Sequence, residues 1–289
     1  MIKPMSPIYI NVKGRLLDLA TTQVMGILNV TPDSFYSGSR MQTEEEIAAR
    51  ARQILDEGAS IIDIGAYSSR PNAEHISAEE EMRRLRTGLE ILNRNHPEAI
   101  ISVDTFRAEV AERCVKEYGV AIINDIAAGE MDDRMFATVA ELGVPYIMMH
   151  MQGTPQSMQK EPHYENLIKE VFLYFARKVQ QLRDLGVKDI ILDPGFGFGK
   201  NLNGTGSFHQ FVRVIQQKCD QQDIYKIFYS NIKKHGSPFL FFQRSELFPQ
   251  LHAHHVHAKY ALLSLTPQYP IWLSRSMSLA EFLLTVYKS

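Results

Sequence analysis

Cysteine is nearly missing from this chain: Cys114 and Cys219 are the only two in 289 residues. Two thiols cannot make a disulfide framework, which argues against a small stapled secreted scaffold and for a reducing compartment. An excess of either charge is missing too, since 31 basic and 33 acidic side chains leave a formal net charge of -2. That balance excludes nucleic-acid binding through a strongly basic face. No apolar run approaches the roughly 20 residues that span a bilayer, and no basic stretch followed by an apolar one opens the chain as in a leader. These absences predict a cytoplasmic protein with no membrane span and no nucleic-acid partner.

The chain does hold 45% apolar residues, in a length that suits one large domain over residues 1–289, since single α/β barrels run to about 250 residues and beyond. It is organised around Val24-Met25-Gly26-Ile27-Leu28-Asn29-Val30-Thr31-Pro32-Asp33-Ser34-Phe35. Here an apolar run of strand type stops at Asn29, and Thr31, Pro32 and Asp33 turn the backbone out of the strand. The pattern recurs where Ile61 to Gly65 runs into Ser68-Ser69-Arg70-Pro71 and Ile100 to Val103 into Asp104. It returns where Ile122-Ile123 meets Asn124-Asp125 and Ile190 to Leu192 meets Asp193-Pro194-Gly195.

Helical patterns lie between these runs. Thr43 and Glu46 make a capping box ahead of Ile47, Ala51, Ile54 and Leu55, and Ser77 and Glu80 make another ahead of Met82, Leu85, Leu89 and Leu92. Further helices are predicted near 107–118, 133–142 and 164–185, the first two closed by Gly119 and Gly143. Six strands alternating with helices predict βαβ units, a parallel sheet and a TIM (β/α)8 barrel, with two units still to be supplied. Ile8 to Val12, followed by Gly14, reads as a hairpin or edge strand plugging the bottom of that barrel.

From Asn201 onward the acidic side chains dwindle to Asp220, Asp223, Glu246 and Glu281, while six of the ten histidines gather there. Phe239 to Phe242 is a short apolar run and the segment from Leu279 looks helical, but no strand-to-polar-loop unit stands out. His252, His254, His255 and His257 lack defined metal-ligand spacing, so a solvated segment is the simpler reading.

In a barrel of parallel strands the carboxyl ends share one mouth, so their polar residues converge. Asp104, Asn124 and Asp193 would there present donors and acceptors to the edge of a flat heterocycle, which suits a pterin better than a sugar. A competing role for Asp104 is to cap the helix that follows it. Ser69 and Arg70 match phosphate oxygens, although a surface ion pair is an arginine's ordinary fate. The run from Asp193 to Lys200 is not a P-loop: its spacing is wrong, and Asn201 stands where Ser or Thr should meet magnesium. Its glycines instead permit tight turns that set Phe198 at the mouth as an aromatic wall. Met148, Met149 and Met151 read as core or as an adaptable side of the pocket.

Six motifs, taken together, resemble dihydropteroate synthase: Asn29-Val-Thr-Pro-Asp-Ser-Phe, Asp63-Ile-Gly with Ser69-Arg70-Pro71, Ser102-Val-Asp-Thr, Ile123-Asn-Asp-Ile, Met149-His-Met-Gln-Gly-Thr-Pro and Asp193-Pro-Gly-Phe-Gly-Phe-Gly-Lys. They lie in the family's order across about residues 20 to 200. The resemblance implies a TIM barrel that condenses 4-aminobenzoate with 6-hydroxymethyl-7,8-dihydropterin diphosphate to give dihydropteroate and diphosphate. It assigns the pterin to Asp104, Asn124 and Asp193 with Met148 or Met149 beside it, and Mg2+ with the diphosphate to Asn29. It places Asp33 in the first loop, Ser69, Arg70 and Pro71 in the second near aminobenzoate and diphosphate, and Phe198 against the aminobenzoate. A homodimer is implied as well. The barrel methyltransferases that bind folate are a weaker match, because the Asn29 to Phe35 and Ser69-Arg70-Pro71 motifs point away from them.

After Lys200 the resemblance calls for a Ser-Arg-Lys motif and an Arg-Val-His motif, and neither is present; Ser274-Arg275-Ser276 lacks the lysine. Either the reading frame has shifted near the Lys200 codon or the tail is genuinely divergent, and the alternative to an active synthase is a catalytically impaired pterin-binding remnant or a chain that cannot close its barrel. Leu202 to Gly206 can be back-translated so that another frame reads Leu-Glu-Arg-Asn-Trp, which resembles the family's continuation. Genomic DNA read in all frames is expected to reveal the missing motifs, and an intact gene with no hidden tail would refute the shift.

Overall fold

The computed structural model describes residues 9–19, 23–31, 44–68, 75–154, 163–195 and 198, and the backbone of 224–230 and 239–242. All of them fall within the first of two compact units, Met1–Leu247.

Strands β1 (Tyr9–Val12) and β2 (Arg15–Asp18) form an antiparallel hairpin. Lys13 and Gly14 have φ of 52° and 78°, the paired left-handed turn that matches the twist of the flanking strands. Ile10 and Val12 are buried in one cluster with Met25, Ile61, Ile122, Ile147 and Ile191. Those partners stand near the starts of the barrel strands, so the hairpin plugs the amino-terminal end, as its alternating pattern predicts.

The barrel wall runs through β3 (Gln23–Asn29), β4 (Ile61–Gly65), β5 (Ile100–Asp104), β6 (Ile122–Asp125), β7 (Tyr146–Met149) and β8 (Ile190–Asp193), each parallel to the next. Strand β9 (Ile224–Ser230) continues it in parallel, and β10 (Phe239–Phe242) pairs antiparallel with both β9 and β3 to close it. Outside lie α1 (Glu44–Asp56), α2 (Ala78–Asn95), α3 (Ala108–Tyr118), α4 (Met135–Leu142) and α5 (Leu167–Asp184). Successive side chains of a strand face opposite ways. Thus Ile62 and Ile64 join Ala51, Ile54, Leu85 and Leu89 in the layer between sheet and helices, while Ile61 fills the interior.

The helix ends follow local chemistry. Ser77 Oγ accepts from Glu80 N at 3.2 Å, but the Glu80 carboxylate turns to Arg83 and Arg84 instead of completing the capping box. Asn166 caps α5 by accepting from Lys169 N at 3.0 Å. Gly119 and Gly143 end α3 and α4 with φ of 66° and 63°, a left-handed conformation that glycine adopts at least cost. The Thr43 capping box lies outside the described residues.

The first six strands of the expected TIM barrel are as predicted, and its last part differs. The run Ile224 to Ser230 is a strand that no strand-to-loop pattern betrays, and Phe239 to Phe242 is a reversed strand rather than the head of a βα unit. Residues 231–238 are too few for the roughly dozen or more that a parallel crossover needs, so the chain returns antiparallel. The expectations for 201–223 and 243–289, the histidine cluster included, lie outside the described residues.

Gly26 is where α1 approaches the wall most closely: a Cβ there would stand 2.3 Å from Ile54 Cγ2. Gly26→Ala is therefore expected to destabilise the fold by about 1–3 kcal/mol, seen as a lower denaturant midpoint with an unchanged slope. An unaltered midpoint would show that α1 shifts freely.

Candidate functional site

Register sets four residues in one row at the carboxyl ends of adjacent strands: Asn29 opposite Gly65, Gly65 opposite Asp104, and Asp104 opposite Asn124. Gly65 leaves a gap in that row. A Cβ built on it would lie 3.2 Å from Asn29 Oδ1 and 3.4 Å from Asp104 Oδ2, so the amide and the carboxylate converge over bare backbone. One pleat lower, Asp63 is buried and accepts a hydrogen bond from Asn124 Nδ2 at 2.9 Å. On β8, Asp193 is opposite Met149 and fully buried, with Oδ1 accepting from Gly195 N at 2.8 Å.

Asp104 does not cap α3. The first helical amide, Ala108 N, donates to Asp132 Oδ2 at 2.9 Å from the loop after β6, and Arg107 N donates to Thr105 Oγ1 at 3.2 Å. With those donors satisfied elsewhere, the Asp104 carboxylate is left to the mouth.

Above the row lies an apolar cluster drawn from successive βα loops: Phe106, Ala127, Met149 and Met151, with Tyr67, Ile126, Met131 and Phe198 packed on it. Phe198 N donates to Gly195 O at 3.1 Å, and its side chain packs on this cluster. Met148 requires a correction. It sits in the outer layer with Leu192, Val171 and Phe175, because the pleat gives the inward position to Met149. In an unbroken apolar run such as Tyr146 to Met149 the sequence carries no phase to decide between them. Asp33, Ser69, Arg70 and Pro71 lie outside the described residues.

Several residues that shape the site were given no role in the sequence reading, even where a motif contained them. Asp63 is a lone carboxylate among isoleucines, and that anomaly was the available signal. Glu81 lies on the apolar face of α2 with no exposure; it accepts from Thr105 Oγ1 at 2.6 Å and pairs with the Arg107 guanidinium. Arg107 also donates to Ile76 O at 2.6 Å and lies over the rings of Tyr67 and Phe106. Together these contacts brace the loops after β4 and β5 against α2.

Burial dominates the electrostatics. It pushes Asp63 up to about 6, against the opposing pull of the neighbouring Ser102 hydroxyl and of the hydrogen bond from Asn124. It holds Asp104 well above the usual carboxylate range, and the charges of Asp63, Glu81 and Asp125 add to that effect. Asp125 faces the other way, accepting from Tyr146 Oη at 2.6 Å and from Ala127 N and Gly129 N. A cleft of about 530 Å³ beside Phe136, Lys178 and Leu185 lies on the helix side and holds none of the mouth residues. Among the described residues, no three His, Cys, Asp or Glu side chains form a metal cluster, and no helix is long and apolar enough to cross a membrane.

Comparison with known proteins agrees with this geometry. Residues 25–236 match the family model described as "Pterin binding enzyme", past the last motif at Lys200. The mitochondrial folate synthesis bifunctional protein of Pisum sativum is 46% identical over 197 residues, covering 65% of this chain and 38% of that protein. The chain thus spans well under half of that longer relative. Dihydropteroate synthase of Escherichia coli is 40% identical over 208 residues, covering 69% of this chain and 73% of its own. The Xanthomonas albilineans dihydropteroate synthase, solved with 4-aminobenzoic acid, superposes with a TM-score of 0.65 at 34% identity, over 76% of this chain and 77% of its own.

Because burial raises Asp63, the folded chain holds that proton more tightly than the unfolded chain does. The stability this group contributes is present at acid pH and is lost as pH rises through about 6. Thermal melts of wild type and Asp63→Asn between about pH 4 and pH 7 should show the wild type losing ground to the variant as pH rises. A constant gap would show an ordinary carboxylate.

Proposed function

This chain belongs to the dihydropteroate synthase family of pterin-binding enzymes, and from that premise we propose that it joins 4-aminobenzoate to 6-hydroxymethyl-7,8-dihydropterin diphosphate, yielding 7,8-dihydropteroate and diphosphate. It is then a transferase of folate biosynthesis. The observation that carries this reading is the inward row of Asn29, Gly65, Asp104 and Asn124 over buried Asp63, with Asp193 at the same end of the barrel.

Asp104, Asn124 and Asp193 hold the ring edge of the pterin, and of the two methionines expected beside it Met149 takes that place. Phe198 flanks the aminobenzoate. Asp33 in the first loop, and Ser69, Arg70 and Pro71 in the second, complete the site on the diphosphate and aminobenzoate side. As the carbon–oxygen bond to diphosphate breaks, the pterin methylene becomes electron-deficient. The aminobenzoate nitrogen forms the new carbon–nitrogen bond and gives up a proton. Carboxylates at Asp104 and Asp193, set in a low-dielectric wall, favour the cationic ring at that moment, so no protein nucleophile is required.

Magnesium, when bound, would neutralise charge on the departing diphosphate. Asn29 could lend its neutral amide oxygen to such an ion, with substrate phosphates and water supplying the rest of the oxygen shell. A cytoplasmic location and a homodimer complete the reading, supported by the low cysteine content and the family resemblance.

A second reading is a catalytically impaired pterin binder, favoured by the direction of β10. Its register with β3 runs from Phe239 opposite Gly26 to Phe242 opposite Gln23, so it ends at the plugged end of the barrel. A parallel eighth strand would instead deliver its following residues to the mouth. The Ser-Arg-Lys and Arg-Val-His motifs are missing from the same part of the chain.

Titration calorimetry with the pterin diphosphate, followed by an assay of diphosphate release with 4-aminobenzoate, separates the two. Binding with turnover is expected for the synthase, and binding without turnover for the impaired form; no binding overturns both. Asp104→Asn should weaken pterin binding about 10- to 100-fold, as expected for hydrogen bonds to a charged group.

A further inference from the structure

Inward positions on β4 fall to Ile61, Asp63 and Gly65, and Asp63 stands in register with Ser102 on β5. Ser102 is small and fully buried, which lets the Asp63 carboxylate reach past its own neighbour to Asn124 on β6, at 2.9 Å from Nδ2. An ionised carboxylate only accepts hydrogen bonds. The Asn124 amide must therefore turn its NH2 group to Asp63, and its carbonyl oxygen faces the other way. That oxygen has no protein partner among the described residues.

We propose that Asp63 is a positioning residue that locks the Asn124 amide with its carbonyl outward, so that the mouth offers an acceptor here and selects a heterocycle with a ring N–H or amino donor at this point. Resting on the pterin reading, the inference refines it. With Asp104 and Asp193 also acceptors, the wall reads a run of donors such as the edge of a 2-aminopyrimidinone carries. An Asn124 turned the other way would favour a ring carbonyl in the same place. The two settings differ by one amide rotation, so the choice depends on what lies behind the amide.

The groups facing Asp63 allow it to do this. β3 places apolar Ile27 opposite it, β5 contributes Ser102 and Asp104, and β6 contributes Asn124. Burial lifts Asp63 to about 6, so at neutral pH the ionised, acceptor-only form predominates. Protonation below that value gives the carboxyl a donor of its own and releases the amide from a single setting.

The test uses the full chain in two arms. In the first, side-chain amide resonances of Asn124 and the carboxyl carbon of Asp63 are followed by NMR against pH without ligand. Both should move in one step, and in Asp63→Asn the amide step should vanish. In the second, 6-hydroxymethyl-7,8-dihydropterin is titrated into wild type and Asp63→Asn above neutral pH. The isosteric variant can still bond to Asn124 in either orientation, so about a tenfold loss is expected from the lost lock on a charge-assisted bond. That loss should shrink when the wild type is titrated below its step. A merely structural role would lower stability without coupling the two resonances. An Asn124 amide that ignores Asp63, or equal affinity in the variant, overturns the proposal. A clean NMR step in a wild type that binds no pterin would sink the pterin reading and leave the positioning role standing.

Discussion

A barrel strand is buried on both faces, so whether a side chain meets the ligand or the helices is decided by the two-residue pleat. On β4 the pleat sends Ile62 and Ile64 outward against α1 and α2, and Ile61, Asp63 and Gly65 inward. The same phase carries Asn29, Asp104 and Asn124 to the mouth and Met148 away from it. Sliding any one of these strands by a single residue would put its polar end into the helix layer and an isoleucine into the pocket. The hairpin plug supports this phase from below, because Ile10 and Val12 fill the interior only while Met25, Ile61, Ile122 and Ile191 face them.

Inward polar groups carry an electrostatic cost, and the structure shows how it is spread. Asp63 is offset by Asn124, Glu81 by Thr105 and Arg107, and Asp125 by Tyr146 and two backbone amides. Asp104 is the exception: burial and three neighbouring carboxylates all act against its charge. A carboxylate left in that condition is poised to gain most from a ligand that donates to it. The free protein is thus less stable than it would be with apolar residues at the mouth, a familiar trade between binding and folding.

Much of this was legible in the sequence because an apolar run that stops at Asn, Asp or Gly marks both a strand and its exit. Asn29, Asp104, Asn124 and Asp193 were found by that rule. The rule is silent inside an apolar run, so it could not separate Met148 from Met149. It is also silent about partners distant in sequence: Asp63 and Asn124 are 61 residues apart, and only the register of three strands brings them together. Glu81 was hidden for another reason. On helical spacing it falls beside Met82 and Leu85, and nothing local says that Arg107 and Thr105 will cover it. Strand β9 was hidden because Lys226 interrupts its apolar run, while β10 was visible as an apolar run whose direction no pattern reveals.

Closing a barrel and equipping its mouth are separate tasks, and β10 performs only the first. Any strand of suitable length that bonds to β9 and β3 removes two exposed edges, and a reversed strand does this as well as a parallel one. Delivering a side chain to the mouth from the end of a strand depends on direction. Strands β3 to β8 all exit there, and they carry the inward polar groups with their own bracing network. The reversed strand exits at the plugged end, so its terminus adds nothing to the mouth. The row of inward polar groups at the mouth is therefore built by the strands that all point the same way, and closing the barrel with β10 is a separate physical task from equipping that mouth.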